Sequence, residues 1–465
     1  MRLHNYRRRS NAGPSRGEVD RIKPIAPKER KARYEILGRS TKTDIENTVD
    51  AVSGVRGAIS TLLVNFPSSF LKSPEYVEVM TGIIAAMSPK TEFIICADFG
   101  LDSNISRIER ITDAAAISAD RIRRVDIQNL DVTPFVQDIC VCQTDGGGQT
   151  VGRFVFLEPA EFMRRDDPEI CDLVGTALNH KVRLSDLLFQ GGNMIVSDRH
   201  ILIGYDHYVA NQAPAQPDDP PLTTPAVLMA FQMSVDAQRD LVALGGAPVS
   251  VPAPIIRNRA IRRHVHYIHQ EALGLAQPLF HIDMFVTPLG EIDGKPTVVI
   301  GEPEPTGQHG HPIDLLSHLS FHEVVVQLKT KGYEVKRIPI TTGTQGFAPA
   351  VLKVREIPQT NETGRILRQS LLKDGAKLSE MVDFFEHHVL TWNNVIVENR
   401  GAEGLHIVMP SYDHPLDAKC RAVYESLGAS LTVLPDTTML AALRGAAHCL
   451  IRDVARTPIE TKSTS

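Results

Sequence analysis

The run Arg-Gly-Ala-Ala-His-Cys occupies residues 444–449 of the 465-residue chain. Its small residues allow a tight backbone turn that can present the sulfur of Cys449 to a substrate. The thiolate is the reactive form of cysteine, and a neighbouring cationic group such as a protonated His448 lowers the thiol pKa. An unpaired cysteine is more often a small buried apolar residue, so this run alone leaves both interpretations open.

A histidine and an aspartate stand two residues apart in an apolar run further upstream. The run covers residues 280–285 and carries His281 and Asp283. In a β-strand, residues two apart point to the same face of the sheet. We therefore predict a strand that sends both side chains into one site, and a purely structural pair is the alternative.

Two earlier motifs each place a polar residue before a predicted strand. Asp138 precedes an apolar segment at 139–141, and Gln190 precedes a Gly-Gly pair, Asn193 and an apolar segment at 194–196. The alternatives are an ordinary acid at a strand edge and a plain hairpin turn. Along the chain the four motifs follow the order acid, Gly-Gly turn, His-x-Asp and His-Cys.

That order resembles the guanidino-group modifying enzymes, which include arginine and agmatine deiminases, dimethylarginine hydrolases and amidinotransferases. Four short motifs within residues 130–455 carry the resemblance, without continuous similarity between them. It implies a pentein-type α/β propeller, in which five repeated strand and helix units surround a pseudo-fivefold axis with the active site at the centre. The sequence shows no visible repeat, so the number of units rests on the resemblance.

The resemblance also implies a role for each motif residue. Cys449 matches the family's nucleophile, and His281 matches its general acid and base. Asp138 and Asp283 match the two carboxylates that bind the guanidinium group. Gln190 occupies the position of a glutamate that orients the catalytic histidine, so this chain lacks that negative charge.

Two further residues are assigned to substrate binding by the same resemblance. Arg444 matches the arginine in the Arg-Gly-Gly-Gly-His-Cys loop of deiminases that act on free arginine, where it would contact a substrate carboxylate. Asn193 follows the Gly-Gly pair. The family has arginine where this chain has Gln137, and the Trp-Asn-Asn segment at 392–394 resembles the asparagine-bearing segment before the last unit.

The chemistry explains why these residue types belong together. A guanidinium is planar and permanently charged, and it offers paired N–H donors to carboxylates. Cys449 would attack its central carbon and form a covalent thiouronium intermediate. His281 would protonate the departing amine and then deprotonate a water. The expected partner is a small guanidino compound, and this chemistry requires neither a metal nor an organic cofactor.

The substitution of Gln190 for an acid leaves three functions open. A carboxylate beside a histidine raises the histidine pKa, whereas glutamine can accept a hydrogen bond but brings no charge. We predict a hydrolase of the deiminase type. An amidinotransferase shares the covalent step, and a non-catalytic binding module is the alternative that Gln190 favours.

A group of four histidines suggests a rival, zinc-dependent site. Residues four apart on a helix share a face, as zinc ligands often do, and the segment 314–328 has helical periodicity. A zinc hydrolase would also need a third ligand and a suitably placed glutamate. Metal-free helix and surface histidines are the default interpretation. The four residues are His309, His311, His318 and His322.

The composition is that of an ordinary globular protein. Hydrophobic residues make up 42% and charged residues 23% of the chain, and the net charge of −5 argues against a dedicated nucleic-acid-binding protein. Six cysteines show no disulfide-framework spacing, which favours a reducing cytoplasmic location. No apolar run approaches the ~20 residues that span a bilayer.

Charge and proline content suggest the domain organisation. The first 36 residues carry eleven Lys and Arg against four Asp and Glu, so we predict a basic flexible tail at 1–38. A single catalytic domain is predicted at 39–456, followed by a short tail at 457–465. Within it, residues 211–275 are predicted to be an insertion that either covers the site or joins subunits of a homo-oligomer.

Alternating strand and helix patterns predict α/β layering. Helices are predicted at 41–59, 74–87, 105–119, 224–244 and 363–389, the last as one helix or a pair. Strands are predicted at 60–65, 92–97, 121–127, 297–300, 333–339, 395–398, 406–409 and 430–434.

Overall fold

Five sheets form the described part of the molecule. The computed structural model describes residues 49–145, 154–158, 166–185, 187–212, 223–236, 238–246, 255–259, 262–268, 274, 276–304, 318–344, 350–357, 359 and 362–457. Within these ranges the strands form one seven-stranded, two four-stranded and two three-stranded sheets. The same ranges contain no helix long and apolar enough to cross a membrane. The tail predicted at 1–38 lies outside them.

Strands and helices alternate in the first described segment, as predicted. The prediction of a helix at 41–59 is wrong for the described residues 49–59. These residues contain one strand and the start of a second, and the loop between them includes Gly57 with a φ of +80°. The other predictions for this segment are confirmed with ends shifted by a few residues. Its elements are β1 (Val49–Ala51), β2 (Ile59–Phe66), α1 (Pro74–Ala86), β3 (Glu92–Ala97), α2 (Asp102–Ala114) and β4 (Ile122–Asp126).

Helix α1 illustrates how local signals and burial act together. Ser73 caps its N-terminus by accepting a hydrogen bond from the Tyr76 N–H at 3.4 Å, and proline occupies the first helical position. Tyr76, Val79 and Ile83 recur at helical spacing and are buried against the sheet. Burying such a side chain contributes about 1.5–3 kcal/mol, so packing more than propensity stabilises this helix.

One three-strand unit recurs along the chain. A strand pairs antiparallel with its successor, which pairs parallel with a third strand beyond a helix. Parallel neighbours need a crossover, usually helical. The first unit comprises β5 (Val141–Asp145), β6 (Phe154–Glu158), α3 (Glu169–Leu178) and β7 (Lys181–Leu184). The second comprises β8 (Met194–Val196), β9 (His200–Gly204), α4 (Tyr205–Ala210), α5 (Thr224–Val235) and β10 (Asp240–Leu244).

The third and fourth units repeat this pairing. A hairpin of β11 (Ile255–Arg259) and β12 (Arg262–Ile268) precedes the third. The third unit comprises β13 (Val286–Ile292), β14 (Lys295–Pro303), α6 (His318–Thr330) and β15 (Glu334–Thr344), followed by β16 (Ala350–Lys353), α7 (Glu362–Lys373) and β17 (Met381–Thr391). The fourth comprises β18 (Ile396–Asn399), β19 (Leu405–Ser411), α8 (Leu416–Ser426) and β20 (Ser430–Asp436), followed by α9 (Thr438–Ala442).

The fifth unit joins the two ends of the described chain. Strand β21 (Ile451–Arg456) pairs antiparallel with β2, and β2 pairs parallel with β3 across α1. The described residues therefore contain five copies of one pairing pattern, one in each sheet. The copies differ in sequence because each needs only apolar strands and an amphipathic helix, which many sequences satisfy.

Two predicted helices need correction. The helix predicted at 224–244 ends at Val235, and residues 240–244 form β10 in parallel with β9. The segment 363–389 contains α7 and then β17, because Gly375 adopts a φ of +83° and ends the helix.

The segment predicted as an insertion, 211–275, contains α5 and β10, which belong to the pairing of the second unit. Its hairpin of β11 and β12 extends the seven-stranded sheet by pairing with β17. The proposed roles of this segment, covering the site or joining subunits, stay predictions.

Candidate active site

The sequence motifs lie in the segments that precede the first strand of each unit. Short 3-10 turns stand before β5, β8, β13 and β21, and a bent segment at 392–395 stands before β18. Equivalent positions in a repeated fold come close together when the units pack against one another, even though they are far apart in sequence. The residues supplied by the five segments are Asp138, Gln190, His281 with Asp283, Asn394 and Cys449.

The backbone at His281 and Asp283 differs from the prediction. His281 is extended, but Ile282–Met284 forms a 3-10 turn and the strand begins only at Val286. The two side chains nevertheless approach one point. A Cβ atom added to Gly192 would lie 2.7 Å from His281 Nδ1 and 3.1 Å from Asp283 Oδ2. The strand prediction was therefore wrong in backbone conformation.

Asp138 lies at the same point and is almost wholly buried. Its Oδ1 atom accepts a hydrogen bond from the Gly192 N–H at 2.9 Å and lies 3.7 Å from His281 Nδ1. The Cβ atom added to Gly192 would lie 2.8 Å from this oxygen. Gly192 thus borders a space surrounded by two carboxylates and an imidazole, and any side chain at this position would enter it.

Gln190 orients the ring of His281. The Oε1 atom of Gln190 accepts a hydrogen bond from Nε2 of His281. Because a neutral imidazole carries one proton, this bond leaves Nδ1 as the nitrogen with the lone pair. Nδ1 is the atom that faces Asp138 and Gly192. The ring of Phe280 covers His281 at a centroid distance of 4.1 Å.

Cys449 brings its sulfur to the second carboxylate. The Sγ atom lies 3.7 Å from Asp283 Oδ2, and the side chain is 2% exposed. Burial raises the pKa of the Cys449 thiol well above its usual range, and the charges of Asp283 and Asp138 raise it further. Without a bound cation, the sulfur is therefore held as a protonated thiol.

Asn394 is a site residue that the sequence motifs identified only through its segment. Its Nδ2 atom donates to the Cys449 sulfur at 3.2 Å, and its Oδ1 atom accepts from the Cys449 N–H at 3.2 Å. The preceding Trp392 is anchored because its indole N–H donates to Asp417 at 2.7 Å and its carbonyl accepts from the Tyr424 hydroxyl at 2.8 Å.

His448 also contacts the site, although the sequence motifs assigned it no role in substrate binding. Its Nδ1 atom lies 2.9 Å from Asp283 Oδ2, which is the oxygen that also faces the sulfur. The other oxygen of Asp283, Oδ1, is buried and has no hydrogen-bond partner among the described residues. One oxygen of Asp283 thus contacts protein groups and the other has no described partner. Each carboxylate oxygen has two lone pairs, so both can still accept from a ligand.

Asn193, which the resemblance assigns to substrate binding, is engaged by protein groups in this structure. Its Oδ1 atom accepts hydrogen bonds from Gln277 Nε2 at 2.8 Å and from the Ile282 N–H at 3.0 Å. Asn193 is fully buried, and its carboxamide is used to hold the turn that carries His281 and Asp283. These contacts fix the position of that turn, and the assignment of Asn193 to substrate binding stays a prediction.

Arg444 lies beside the ring of Phe280, which in turn covers His281. Its guanidinium carbon is 5.9 Å from the centroid of the Phe280 ring, and its backbone has a φ of +67°. Gly445 follows it, and a Cβ atom at that position would lie 2.3 Å from the Phe135 ring. The close approach of Phe135 requires glycine here, whereas Ala446 and Ala447 are accommodated in the core.

The rival histidine group is not supported by the described residues. His309 and His311 lie outside them, and His322 is exposed on α6. No group of three metal-ligating side chains occurs in the described part of the chain.

Comparison with known proteins defines the class of fold. No protein-family model matches the chain, and no curated protein matches its sequence. Solved structures do match, and they show a mixed α/β fold similar to that of the pentein enzymes. The predicted resemblance is therefore confirmed at the level of the fold.

The matching structures include two agmatine deiminases. That of Enterococcus faecalis is 10% identical, aligns over 90% of this chain and 98% of its own, and gives a TM-score of 0.54. That of C. jejuni is 12% identical over 89% of this chain and 97% of its own, with a TM-score of 0.52. A cysteine-to-serine variant of the C. jejuni enzyme with substrate bound is 11% identical over 89% of this chain and 97% of its own, with a TM-score of 0.53. At these identities the likeness establishes the fold alone.

Proposed function

We propose that this protein is a cysteine-dependent hydrolase that acts on a guanidino or amidine compound. The observation that carries the proposal is the meeting of one thiol, one imidazole and two carboxylates around the space beside Gly192. The agmatine deiminase structures that share the fold support the same class of substrate. We further propose that the five units surround a common axis as in a pentein propeller, with this space at the centre of one domain.

Asp138 and Asp283 would bind the substrate cation. A guanidinium is planar, and its N–H donors pair with carboxylates on more than one edge. Asp283 Oδ1 has no partner among the described residues, and buried acceptors of this kind are rarely left without one. A guanidinium between the two aspartates would satisfy this oxygen and neutralise both charges.

Binding of the cation would also activate the sulfur. The negative charges of Asp283 and Asp138 raise the pKa of the Cys449 thiol. A bound guanidinium offsets these charges and lowers the thiol pKa, so the thiolate forms in the complex. The amide of Asn394 donates to the same sulfur, which favours the anionic form.

The reaction would then proceed in two halves. His281 Nδ1 first accepts the proton of the Cys449 thiol, and the thiolate adds to the central carbon. One C–N bond then breaks as His281 Nδ1 delivers that proton to the departing amine. Water then adds to the thiouronium carbon while His281 removes its proton, and the C–S bond breaks to restore the thiolate. A guanidinium and water thus become a ureido compound and an ammonium ion, with atoms and charge in balance.

The direct test is a screen of guanidino and amidine compounds for release of ammonia, urea or a free amine. Ammonia release would indicate a deiminase, and urea or amine release would indicate cleavage of another C–N bond. Amidino transfer would require an added amine acceptor for turnover. Failure of every compound to react or bind would contradict the proposed function.

We expect a cationic alkylating reagent to modify Cys449 faster than a neutral one. 2-Chloroacetamidine carries an amidinium that can lie between the aspartates, and an opposite charge at this range shifts a pKa by about 1–3 units. For each thiol, the rate of modification by 2-chloroacetamidine is divided by the rate with iodoacetamide. This ratio should be about tenfold or more higher for Cys449 than for free cysteine. Because the pKa of the thiol is raised in the free protein, labelling by iodoacetamide should still increase above pH 9.

Intact-mass measurement of the labelled protein gives the stoichiometry. The other five cysteines lie within apolar core clusters, whereas Cys449 lies beside a carboxylate. One adduct per chain is therefore expected, and Cys449→Ala should form none. Equal relative rates for the two reagents would indicate a site that does not bind amidinium ions.

A non-catalytic binding module remains the second candidate, because Gln190 supplies no charge to His281. We expect Gln190→Glu to raise the pKa of His281, since a carboxylate stabilises the imidazolium. The acid limb of the pH–kcat/KM profile should move upward by about 1 unit or more, because His281 must be neutral to act as base. Above this limb turnover should increase about tenfold, a part of the 10²–10⁴ that acid–base catalysis supplies.

Gln190→Leu is the matched control, because it removes the hydrogen bond to His281 as well as any charge. It should lower turnover without moving the acid limb upward. A Gln190→Glu profile that coincides with that of the unaltered protein would show that Gln190 does not act through the His281 charge.

A further inference from the structure

His207 is a residue of the same site that none of the motifs contains. It lies on α4, directly after β9 of the second unit. Its ring is 6.5 Å from the His281 ring between centroids. The Nδ1 atom of His207 is shielded from solvent and has no hydrogen-bond partner among the described residues.

His207 is a neutral group in this environment. Burial and the neighbouring His281 lower the pKa of His207 to about 3, although Asp138 acts in the opposite direction. A neutral imidazole presents one N–H and one lone pair. His207 can therefore offer an acceptor atom to a cationic ligand across the working range of pH.

The number of N–H groups on a guanidinium indicates what His207 Nδ1 could bind. A guanidinium with one substituent has five N–H groups. Two carboxylates that each pair with one edge of the plane take four of them. The fifth, on a terminal nitrogen beside the substituent, is left without an acceptor inside the site.

We infer that His207 Nδ1 accepts this fifth N–H and makes the site selective for guanidines whose terminal nitrogens are unmethylated. The inference rests on the proposed binding of a guanidinium by Asp138 and Asp283. A dimethylated terminal nitrogen has no N–H, so such a ligand has three donors in all. In every orientation it leaves acceptors of the site unpaired, which is unfavourable for buried polar atoms.

The experiment compares methylated and unmethylated ligands in matched variants. His207→Leu removes the acceptor, and His207→Asn retains a polar oxygen near the place of Nδ1. For each protein, kcat/KM is measured with L-arginine, agmatine and their Nω,Nω-dimethyl derivatives. The same ligands are titrated calorimetrically against the corresponding variants in a Cys449→Ala background, so that binding is measured without turnover.

We expect His207→Leu to reduce the preference for unmethylated ligands by about 10- to 100-fold, as loss of one hydrogen bond to a charged group implies. His207→Asn should restore most of the preference. His180→Ala replaces a partly buried histidine on the first unit, beside Phe156, and should leave the preference unchanged.

An unchanged preference in His207→Leu would overturn the inference. So would an equal loss in Gln137→Leu, because Gln137 Oε1 is another shielded acceptor without a described partner and lies on a side chain that contacts Gly191. Binding with the expected preference but without turnover would reject the hydrolase and retain the role of His207. Absence of both binding and turnover for every compound would reject the proposed function and this inference together.

Discussion

Cys449→Ala is expected to abolish turnover of any guanidino substrate while leaving binding intact. Alanine cannot form the C–S bond of the thiouronium intermediate, and removal of a nucleophile costs about 10⁴- to 10⁶-fold in kcat. The dissociation constant should change by less than about tenfold, because the carboxylates that bind the cation remain. Steady-state product release and calorimetric titration measure the two quantities.

Cys420→Ala provides the matched control for this variant. Cys420 is also a buried thiol whose pKa is raised by burial, but it lies on α8 away from the site. Its replacement should leave kcat within about threefold, because core truncation lowers stability more than activity. Residual turnover above about 1% in Cys449→Ala would mean that another group performs the attack.

Gly192→Ala is expected to eliminate activity without removing any reactive group. The added Cβ atom would lie 2.7 Å from His281 Nδ1, 2.8 Å from Asp138 Oδ1 and 3.1 Å from Asp283 Oδ2. These are closer than van der Waals contact, so the methyl group must displace the ends of three side chains that converge on the substrate. A misplacement of about 1 Å costs roughly 10²-fold, and three displaced groups together should lower kcat/KM by about 10³-fold or more.

Gly54→Ala is the control for adding a methyl group near the same sheet. Its Cβ atom would lie 3.5 Å from the Val196 carbonyl oxygen, which is ordinary contact at the opposite end of β8. We expect near-normal kcat/KM and an unchanged thermal midpoint. Activity of Gly192→Ala within tenfold of the unaltered protein would show that the substrate does not enter the space beside Gly192.

The sequence motifs contain most residues of the candidate site because these residues stand in the short segments before strands. Asp138 and Cys449 each stand directly before an apolar segment, and that position in the unit brings them together. His281 and Asp283 were found through an incorrect strand prediction. Their side chains converge because the 3-10 turn after His281 packs against the turn that carries Gly192.

Other residues could not be found in this way. His207 is an isolated histidine on a short helix, and only the packing of α4 near His281 connects it to the site. Asn193 looked like a ligand-binding residue because it follows Gly-Gly. Its hydrogen bonds to Gln277 and to the Ile282 N–H, which give it a structural role, depend on a segment about ninety residues away.

The sequence by itself determined the alternation of strands and helices, the order of the four motifs and the presence of carboxylates able to bind a planar cation. These are properties of hydrophobic periodicity and side-chain chemistry, which are local. Only the tertiary structure decided that the pairing pattern occurs five times in the described residues, which oxygen of Asp283 lacks a described partner and how far the Cys449 thiol is desolvated. These depend on contacts between residues hundreds of positions apart, and no local pattern encodes the distance between such residues.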